Sequence, residues 1–302
     1  MLKPSKLIMG CVAAALLSAP AFAQELTGTL KKIKDSGTIT LGIREASIPF
    51  SYLDEKQQPI GYSMDLCAVI VEEVKKTLQM PNLTVKYNPV TSQTRIPLMS
   101  NGTIDLECGS TTNNLTRSKE VSFAPITFIT GTKLMVKKAS KIMSYKDLKG
   151  KTVVVTQGTT NERTIKALSD KENLGIKFLN AKDHAESAAL VASGRAQAFS
   201  MDDVLLYGQI AKQKNPKDFE VVGDYLSYDP YGIMYRKNDG DFGLVVTRAI
   251  AGVARGDQIG KLGPIEKIYQ KWFVEKLPDG SAIAMPMTQL LRDTLIANAL
   301  PE

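Results

Sequence analysis

Residues 65–78 read DLCAVIVEEVKKTL, preceded by TITLGI at 38–43 and followed by LTVKYNPV at 83–90. In the central segment Leu66, Val69, Ile70, Val74 and Leu78 recur at helical spacing, with Glu72, Glu73, Lys75 and Lys76 on the other side. That pattern predicts an amphipathic helix. The flanking segments are rich in β-branched residues and Gly37 bounds the first, so both read as strands. Strand, helix and strand in that order predict an α/β fold with a mostly parallel sheet. Downstream, Thr94 to Ser100 predicts a short helix and Thr103 to Glu107 a third strand.

A second series of the same kind begins near Lys151. It runs through a strand at Thr152 to Thr156, the turn Gln157-Gly158-Thr159-Thr160 and a helix to Leu168. A strand at Ile176 to Leu179, a helix at Ala185 to Ser193, a strand at Ala196 to Ser200 and a helix from Asp203 complete it. SNGTIDL at 100–106 and ASGRAQA at 192–198 share a plan, a helix stopped by Gly and then a strand and a polar loop. The general grammar of α/β chains produces such echoes too. The functional reading is two lobes whose polar loops face one another, since ligands of open α/β sheets sit beyond the carboxyl ends of the strands. A cleft between the lobes is then the expected site.

Two extended, Gly-containing segments flank the second series, APITFITGTKLMV at 124–136 before it and YGIMYR at 231–236 after it. As two parallel crossovers they divide the chain into lobe 1 at 24–130 and 232–302 and lobe 2 at 131–231. Helical patterns from Asp241 to Ala254 and Pro264 to Phe273 finish lobe 1. Paired crossovers make a hinge suited to closure around a ligand.

The 302 residues are 43% hydrophobic and 23% charged, a balance that fits a soluble globular chain and excludes collagen, coiled-coil arrays and long disorder. Residues 1–23 read as a secretory signal: Lys3 and Lys6, then Leu7 to Leu17, then the small-x-small site Ala21-Phe22-Ala23. The apolar run is too short to span a bilayer as a helix. Cys11 comes after too short an apolar stretch for a lipoprotein signal, so lipidation is not expected. Removing 23 residues leaves 279 and takes two Lys and no acid, lowering the net charge from +7 to +5. The lysines are scattered with no basic-aromatic run, which argues against nucleic acid. Cys67 and Cys108 remain, an even count that invites a disulfide in an oxidising compartment; two buried free thiols are the alternative.

Between 24 and 131 there are eight Lys but only three Arg, Arg44, Arg95 and Arg117, each at a strand end or polar turn. A guanidinium offers a rigid fork to carboxylate or phosphate. Hydroxyls lie nearby in the sequence pattern: Ser92, Ser110, Thr111 and Thr112, and in the second series Thr159 and Thr160. Gln157-Gly158-Thr159-Thr160 opens a helix, whose amides can hold an anion, or serves as an ordinary N-cap; it lacks the spacing of a phosphate loop. His184 is the only histidine. With Asp183 and Glu186 at capping-box spacing it falls in the first turn of a helix, where it is either a packed ring or a hydrogen-bond donor to a bound anion. One His without partners builds no zinc site, and Asp183 beside it does not form a catalytic triad. Met201-Asp202-Asp203 ends a strand, where one carboxylate can receive an ammonium group while the other caps the next helix. No cofactor or metal is expected.

These residues resemble the periplasmic amino-acid-binding proteins of ABC importers, and within them the glutamate/aspartate branch. The resemblance rests on GIREASIPFSY (42–52), GYSMD (61–65), VTSQTRIPLMSNGTIDLECGSTTNN (90–114), KGKTVVVTQGTT (149–160), AKDH (181–184) and MDD (201–203). It implies the type II periplasmic binding protein fold, two lobes joined by two crossover hinge strands. It implies that Arg117, helped by Thr112 and Thr160, grips an α-carboxylate and that Asp202 receives the α-ammonium. Arg44, Ser92, Arg95, Ser110 and His184 then meet a side-chain carboxylate, and Phe50 covers the ligand. Some relatives place a second Cys where this chain has Ile233, so a bridge here joins Cys67 to Cys108. Three Arg against one Asp give the pocket a charge of +2, facing a ligand of −1. The expected function is capture of L-glutamate or L-aspartate in the periplasm by a monomer, with delivery to a membrane permease and its ATPase. The alternatives are a periplasmic enzyme on the same scaffold, such as a dehydratase of a small carboxylate, and a sensory subunit with the same site.

Overall fold

The computed structural model describes residues 25–301. The signal peptide at 1–23, its cleavage after Ala23 and Cys11 lie outside the described residues. Two five-stranded sheets dominate. In the first, Thr38–Ile43 is flanked by Thr84–Pro89 and Leu106–Glu107, both parallel to it, followed by Met234–Arg236 and Val121–Phe123, each antiparallel to its neighbour. In the second, Thr152–Thr156 is flanked in parallel by Lys177–Ala181 and Ala198–Asp202, followed by Thr132–Lys137 and Phe219–Val222. Four of five strands in each sheet therefore share a direction, and one is reversed. The reversed strands, Met234–Arg236 and Thr132–Lys137, are in each case the first strand after the chain changes sheet. The local echo in the sequence is thus a repeat of whole-sheet topology.

The chain changes sheet through Phe128–Thr130 and returns through Asp229–Tyr231, which pair with each other antiparallel, Asp229 opposite Thr130 and Tyr231 opposite Phe128. The parallel pairing of crossovers expected from sequence is corrected: a segment that leaves and one that returns run in opposite directions. The crossing strands are also shorter than the extended segments that contain them, because Thr132–Lys137 and Met234–Arg236 already belong to the sheets.

The run TVVVT at 152–156 shows why the second sheet is sandwiched. Val153 and Val155 face one cluster with Leu134, Val136, Ile165 and Val222, while Val154 faces the other with Met135, Phe199 and Val204. A strand buried on both faces needs an unbroken apolar run. The helix Tyr62–Leu78 buries Leu66, Ile70, Val74 and Leu78, as its periodicity predicts, and packs on the helix Gly240–Ala254. It begins three residues before the expected Asp65. Gly61, at φ 138°, turns the chain so that Tyr62 and Ser63 donate to the Pro49 and Phe50 carbonyls at 2.8 and 2.9 Å. A Cβ on Gly61 would lie 2.3 Å from the Phe50 carbonyl oxygen. The expected strand Thr103–Glu107 shrinks to Leu106–Glu107. Asp105 instead uses its carboxylate to accept from Thr40 N and Lys32 Nζ at 2.9 and 2.8 Å. The expected helix Pro264–Phe273 is α-helical over Ile265–Tyr269 and widens to a π-turn over Gln270–Val274. The helices Gly28–Ser36 and Gln289–Ala297 and the small three-stranded sheet within residues 46–60 were not read from the sequence.

Cys67 and Cys108 form a disulfide with their Cα atoms 6.1 Å apart. It fastens the buried face of the helix Tyr62–Leu78 to the end of the strand Leu106–Glu107, and Ser63 Oγ donates to the Gly109 carbonyl at 2.7 Å beside it. The bridge closes a loop of 41 residues in sequence separation, so replacing both cysteines by Ala should cost about 2 to 4 kcal/mol through the unfolded chain. Urea denaturation of the oxidised parent and the double variant measures this; equal midpoints would mean that the loop is already constrained without the bridge.

Candidate binding cleft between the sheets

Eight of the ten expected site residues lie at or just beyond the carboxyl end of a strand. Arg44 follows Thr38–Ile43, Ser92 and Arg95 follow Thr84–Pro89, and Ser110 and Thr112 follow Leu106–Glu107. On the other sheet Thr160 follows Thr152–Thr156, His184 follows Lys177–Ala181, and Asp202 is the last residue of Ala198–Asp202. Parallel strands of a shared direction send all these loops to one edge, which is where α/β folds bind ligands. Arg117 lies in the short 3-10 turn Arg117–Lys119.

The two sets meet. Thr112 Oγ1 and Thr160 Oγ1 are 3.3 Å apart, and Arg117 donates to the Thr112 carbonyl at 2.9 Å and to the Gly158 carbonyl at 3.3 Å. Gly158 passes so close to Gln93 that a Cβ on it would lie 2.7 Å from Gln93 Cα. Gln209 Nε2 donates to the Ala46 carbonyl at 2.8 Å, a further contact across the cleft. Arg44, Ser92, Arg95, Ser110, Thr112, Arg117, His184 and Asp202 are all buried, and Thr160 is half-buried.

Burial of three guanidiniums in one place has a cost, and the site displays it. Arg44 is pushed down to about 10, first by loss of water and then by Arg95. Arg117 is pushed down to about 9 by burial, then by Arg95 and Arg163. Arg95 is lowered by burial, which Glu107 opposes. Burial, then Arg44 and Arg95, hold His184 well below the usual imidazole range, so the ring is neutral. One buried polar atom on each of Arg44 (Nη1), Ser92 (Oγ), Arg95 (Nε), Ser110 (Oγ) and His184 (Nε2) has no hydrogen-bond partner among the described residues. Buried polar groups are normally paired. These five groups are those the resemblance assigns to a side-chain carboxylate, and an anion with several acceptor positions is the chemical species that would satisfy the two guanidinium and two hydroxyl donors and relieve the Arg repulsion together.

Asp202 sits opposite. It accepts from Asn161 Nδ2 at 2.7 Å and from the Tyr231 hydroxyl, and it is pushed up to about 7 by burial and then by Asp229. A cation beside it would restore the ionised form. Asp203 binds the start of its helix, accepting from Val204 N at 2.7 Å, and also accepts from Thr130 Oγ1 and Tyr225 OH at 2.6 Å. Thr159 caps the helix Thr160–Lys171, and Asp183 caps His184–Ala192. Phe50 is buried among Phe128, Tyr231 and Phe273, with ring centroids 4.9, 5.2 and 5.5 Å away, so it joins the aromatic cluster at the crossing strands.

Sequence reading missed Glu107 and Asp229. Glu107 is fully buried, 3.8 Å from Arg95 Nη1, and accepts from Thr111 Oγ1 at 2.5 Å. Asp229, on the returning crossover, accepts from Thr112 Oγ1 at 3.0 Å and from Ser227. The charge of +2 read from three Arg and one Asp therefore becomes three Arg against three carboxylates. Glu107 ends a strand directly before the CGSTT loop, the one signal that could have marked it. Nothing local marks Asp229.

The pattern of the bacterial extracellular solute-binding proteins, family 3, matches residues 39–275. The L-glutamate/L-aspartate-binding protein of Pseudomonas aeruginosa is 52% identical over 288 residues, 95% of this chain and 93% of that protein. The glutamate/aspartate import solute-binding protein of Salmonella typhimurium is 46% identical over 277 residues, 92% of this chain and 89% of that protein. Among solved structures, an ancestral arginine-binding protein bound to arginine superposes with a TM-score of 0.69 at 29% identity, over 78% of this chain and 98% of that one.

The raised Asp202 carboxyl has a consequence for stability without any ligand. A folded-state value near 7, above that of the unfolded chain, means that the fold gains from the protonated form at low pH and loses this gain as pH rises through about 7. Asp202→Asn, which has no proton to lose, should therefore gain stability relative to the parent between pH 5 and pH 8 in urea titrations. A constant difference between the two proteins would mean that Asp202 is already ionised at pH 5.

Proposed function

The chain belongs to the bacterial extracellular solute-binding proteins, family 3, and from that premise we propose that it captures L-glutamate or L-aspartate and hands it to a membrane permease with an associated ATPase. The observation that carries this reading is the set of unpartnered buried donors beside three guanidiniums on one side and Asp202 on the other. An acidic amino acid carries two carboxylates and one ammonium, the complement of that arrangement. The relatives at 52% and 46% identity bear the names of glutamate and aspartate binding and import proteins, which favours capture over the enzymatic alternative.

In this reading Arg117, with Thr112 and Thr160, holds the α-carboxylate and Asp202 holds the α-ammonium. Arg44, Ser92, Arg95, Ser110 and His184 surround the side-chain carboxylate, and Phe50 covers the ligand from the side of the crossing strands. The lobes are 24–130 with 232–302 and 131–231, a division supported by the antiparallel crossing pair. Closure brings Thr160, His184 and Asp202 onto a ligand first held by the Arg residues, and the closed form is the one presented to the permease. Residues 1–23 direct export and are cleaved after Ala23, leaving the protein in the periplasm. Charge-assisted hydrogen bonds of about 1.5 to 3 kcal/mol each supply most of the affinity.

Two measurements test the assignment. After unfolding and refolding to strip bound ligand, calorimetric titration with Glu, Asp, Gln and Asn should show tight 1:1 binding of an acid. Arg117→Ala should weaken all four by about a hundredfold or more, because two charge-assisted bonds are lost, whereas Arg95→Ala should weaken the acids most. Equal, modest losses in both variants would overturn the roles. In the same assay affinity should fall as pH is lowered through about 7, where Asp202 takes up a proton, by up to about tenfold per unit. Neutral His184 contributes no slope, so His184→Gln should leave the profile in place. A profile that weakens with rising pH would reassign the dependence to an imidazolium.

A further inference from the structure

His184 begins the helix His184–Ala192 with its ring buried. Its Nδ1 lies 3.0 Å from Thr156 Oγ1, which lies 2.8 Å from Ser187 Oγ, which donates to the Asp183 carbonyl at 3.0 Å. The line ends on an atom that can only accept. It has three links and three movable protons: the Ser187 hydroxyl, the Thr156 hydroxyl and the imidazole N–H. All three links form together only when every proton points toward Asp183. That arrangement puts the imidazole proton on Nδ1 and leaves a lone pair on Nε2. If the proton sits on Nε2 instead, Thr156 must donate to Nδ1, and the link between Thr156 and Ser187, or that between Ser187 and Asp183, is lost.

Nε2 is the end that matters to a ligand. It is buried, without a hydrogen-bond partner among the described residues, and lies in the field of Arg44 and Arg95. The same burial and the same two cations keep the ring neutral, so it has one tautomer or the other rather than both protons. A carboxylate can only accept and therefore needs a proton on Nε2. A carboxamide can instead offer its own N–H to the lone pair.

We propose that Thr156 and Ser187 are positioning residues that set the tautomer of His184, and through it the preference of the cleft between carboxylate and carboxamide side chains. The free protein holds the proton on Nδ1. A bound glutamate or aspartate reverses the relay, at the expense of one hydrogen bond, and draws the proton to Nε2. The Arg residues supply the preference for acids, and the relay moderates it from a position that does not touch the ligand. This inference rests on the proposed function only for its second step, since the tautomer of the free protein is independent of any ligand.

As His184 is the only histidine in the chain, nitrogen-15 imidazole NMR reports its tautomer from a single ring. In stripped parent protein the spectrum should show a protonated Nδ1 and a bare Nε2, and saturating glutamate should exchange the two. Ser187→Ala suits a helix interior and leaves the Thr156 hydroxyl only the long contact to the Asp183 carbonyl at 3.5 Å; it should raise the share of protonated Nε2 in the free protein above that of the parent. Its affinity for glutamate should rise about two- to tenfold relative to glutamine, the worth of one net hydrogen bond. Thr156→Ser keeps the relay and should match the parent, while Thr156→Val should lose the dependence of the tautomer on Ser187. A protonated Nε2 in the free parent, an unchanged tautomer in Ser187→Ala, or two protonated nitrogens in the glutamate complex would each overturn the proposal. Failure of the parent to bind glutamate by calorimetry would instead count against the ligand, leaving the free-protein spectrum to decide the relay.

Discussion

Three guanidinium groups buried within reach of one another repel and lose water, which drives Arg44 down to about 10, Arg117 to about 9, and Arg95 in the same direction. Much of the surrounding structure answers that constraint. Glu107 stands 3.8 Å from Arg95, backbone carbonyls of Thr112 and Gly158 accept from Arg117, and Ser110 offers its carbonyl to Arg95 at 3.5 Å. These partners hold the cations without exhausting them, since Nη1 of Arg44 and Nε of Arg95 keep no partner. Stability is given up locally to keep donors aimed and dry, the arrangement that makes a buried charge-assisted hydrogen bond strong when an anion arrives.

The hinge works on the opposite charge. Tyr231, on the returning crossover, donates to Asp202 at the end of a strand of the second sheet, while its ring packs on Phe50 5.2 Å away. Thr112, from the first sheet, reaches both Asp229 on that crossover and Thr160 across the cleft. The acidic half of the site is therefore wired to the strands on which any movement between the sheets must turn. A cation held at Asp202 would share these hydrogen bonds with the crossing strands, a link of the kind that gives a ligand differential affinity for one arrangement of two lobes.

Most of the fold was legible because it is written in local periodicity. TVVVT at 152–156 is a strand at the bounds its composition predicts, and DLCAVIVEEVKKTL is a helix whose buried face is the predicted one. Boundaries shifted where a long-range contact overrode local pattern: Gly61 against Phe50 lengthened a helix, and Asp105 pairing with Thr40 and Lys32 shortened a strand. Arg44, Arg95, Arg117, His184 and Asp202 were legible because each is a chemically distinctive residue at a strand end or in a polar turn. Glu107 was missed because an acid inside an Arg cluster looks, in sequence, like any charged residue next to a loop. Asp229 was missed because its neighbour Thr112 is 117 positions away.

By itself the sequence determined the alternation of strands and helices, the two series, the chemical kinds of side chain at the strand ends and the two cysteines, since all of these depend on residues within a few turns of one another or on composition. The expected bridge between Cys67 and Cys108 is present, but the tertiary structure alone decided for it over two free thiols, and it alone decided the antiparallel sense of the crossovers, the balance of three carboxylates against three guanidiniums, and the neutrality of His184. Each of these depends on which distant groups share a volume from which water is excluded, and electrostatic and hydrogen-bond energies in such a volume are set by distance through space rather than by separation along the chain.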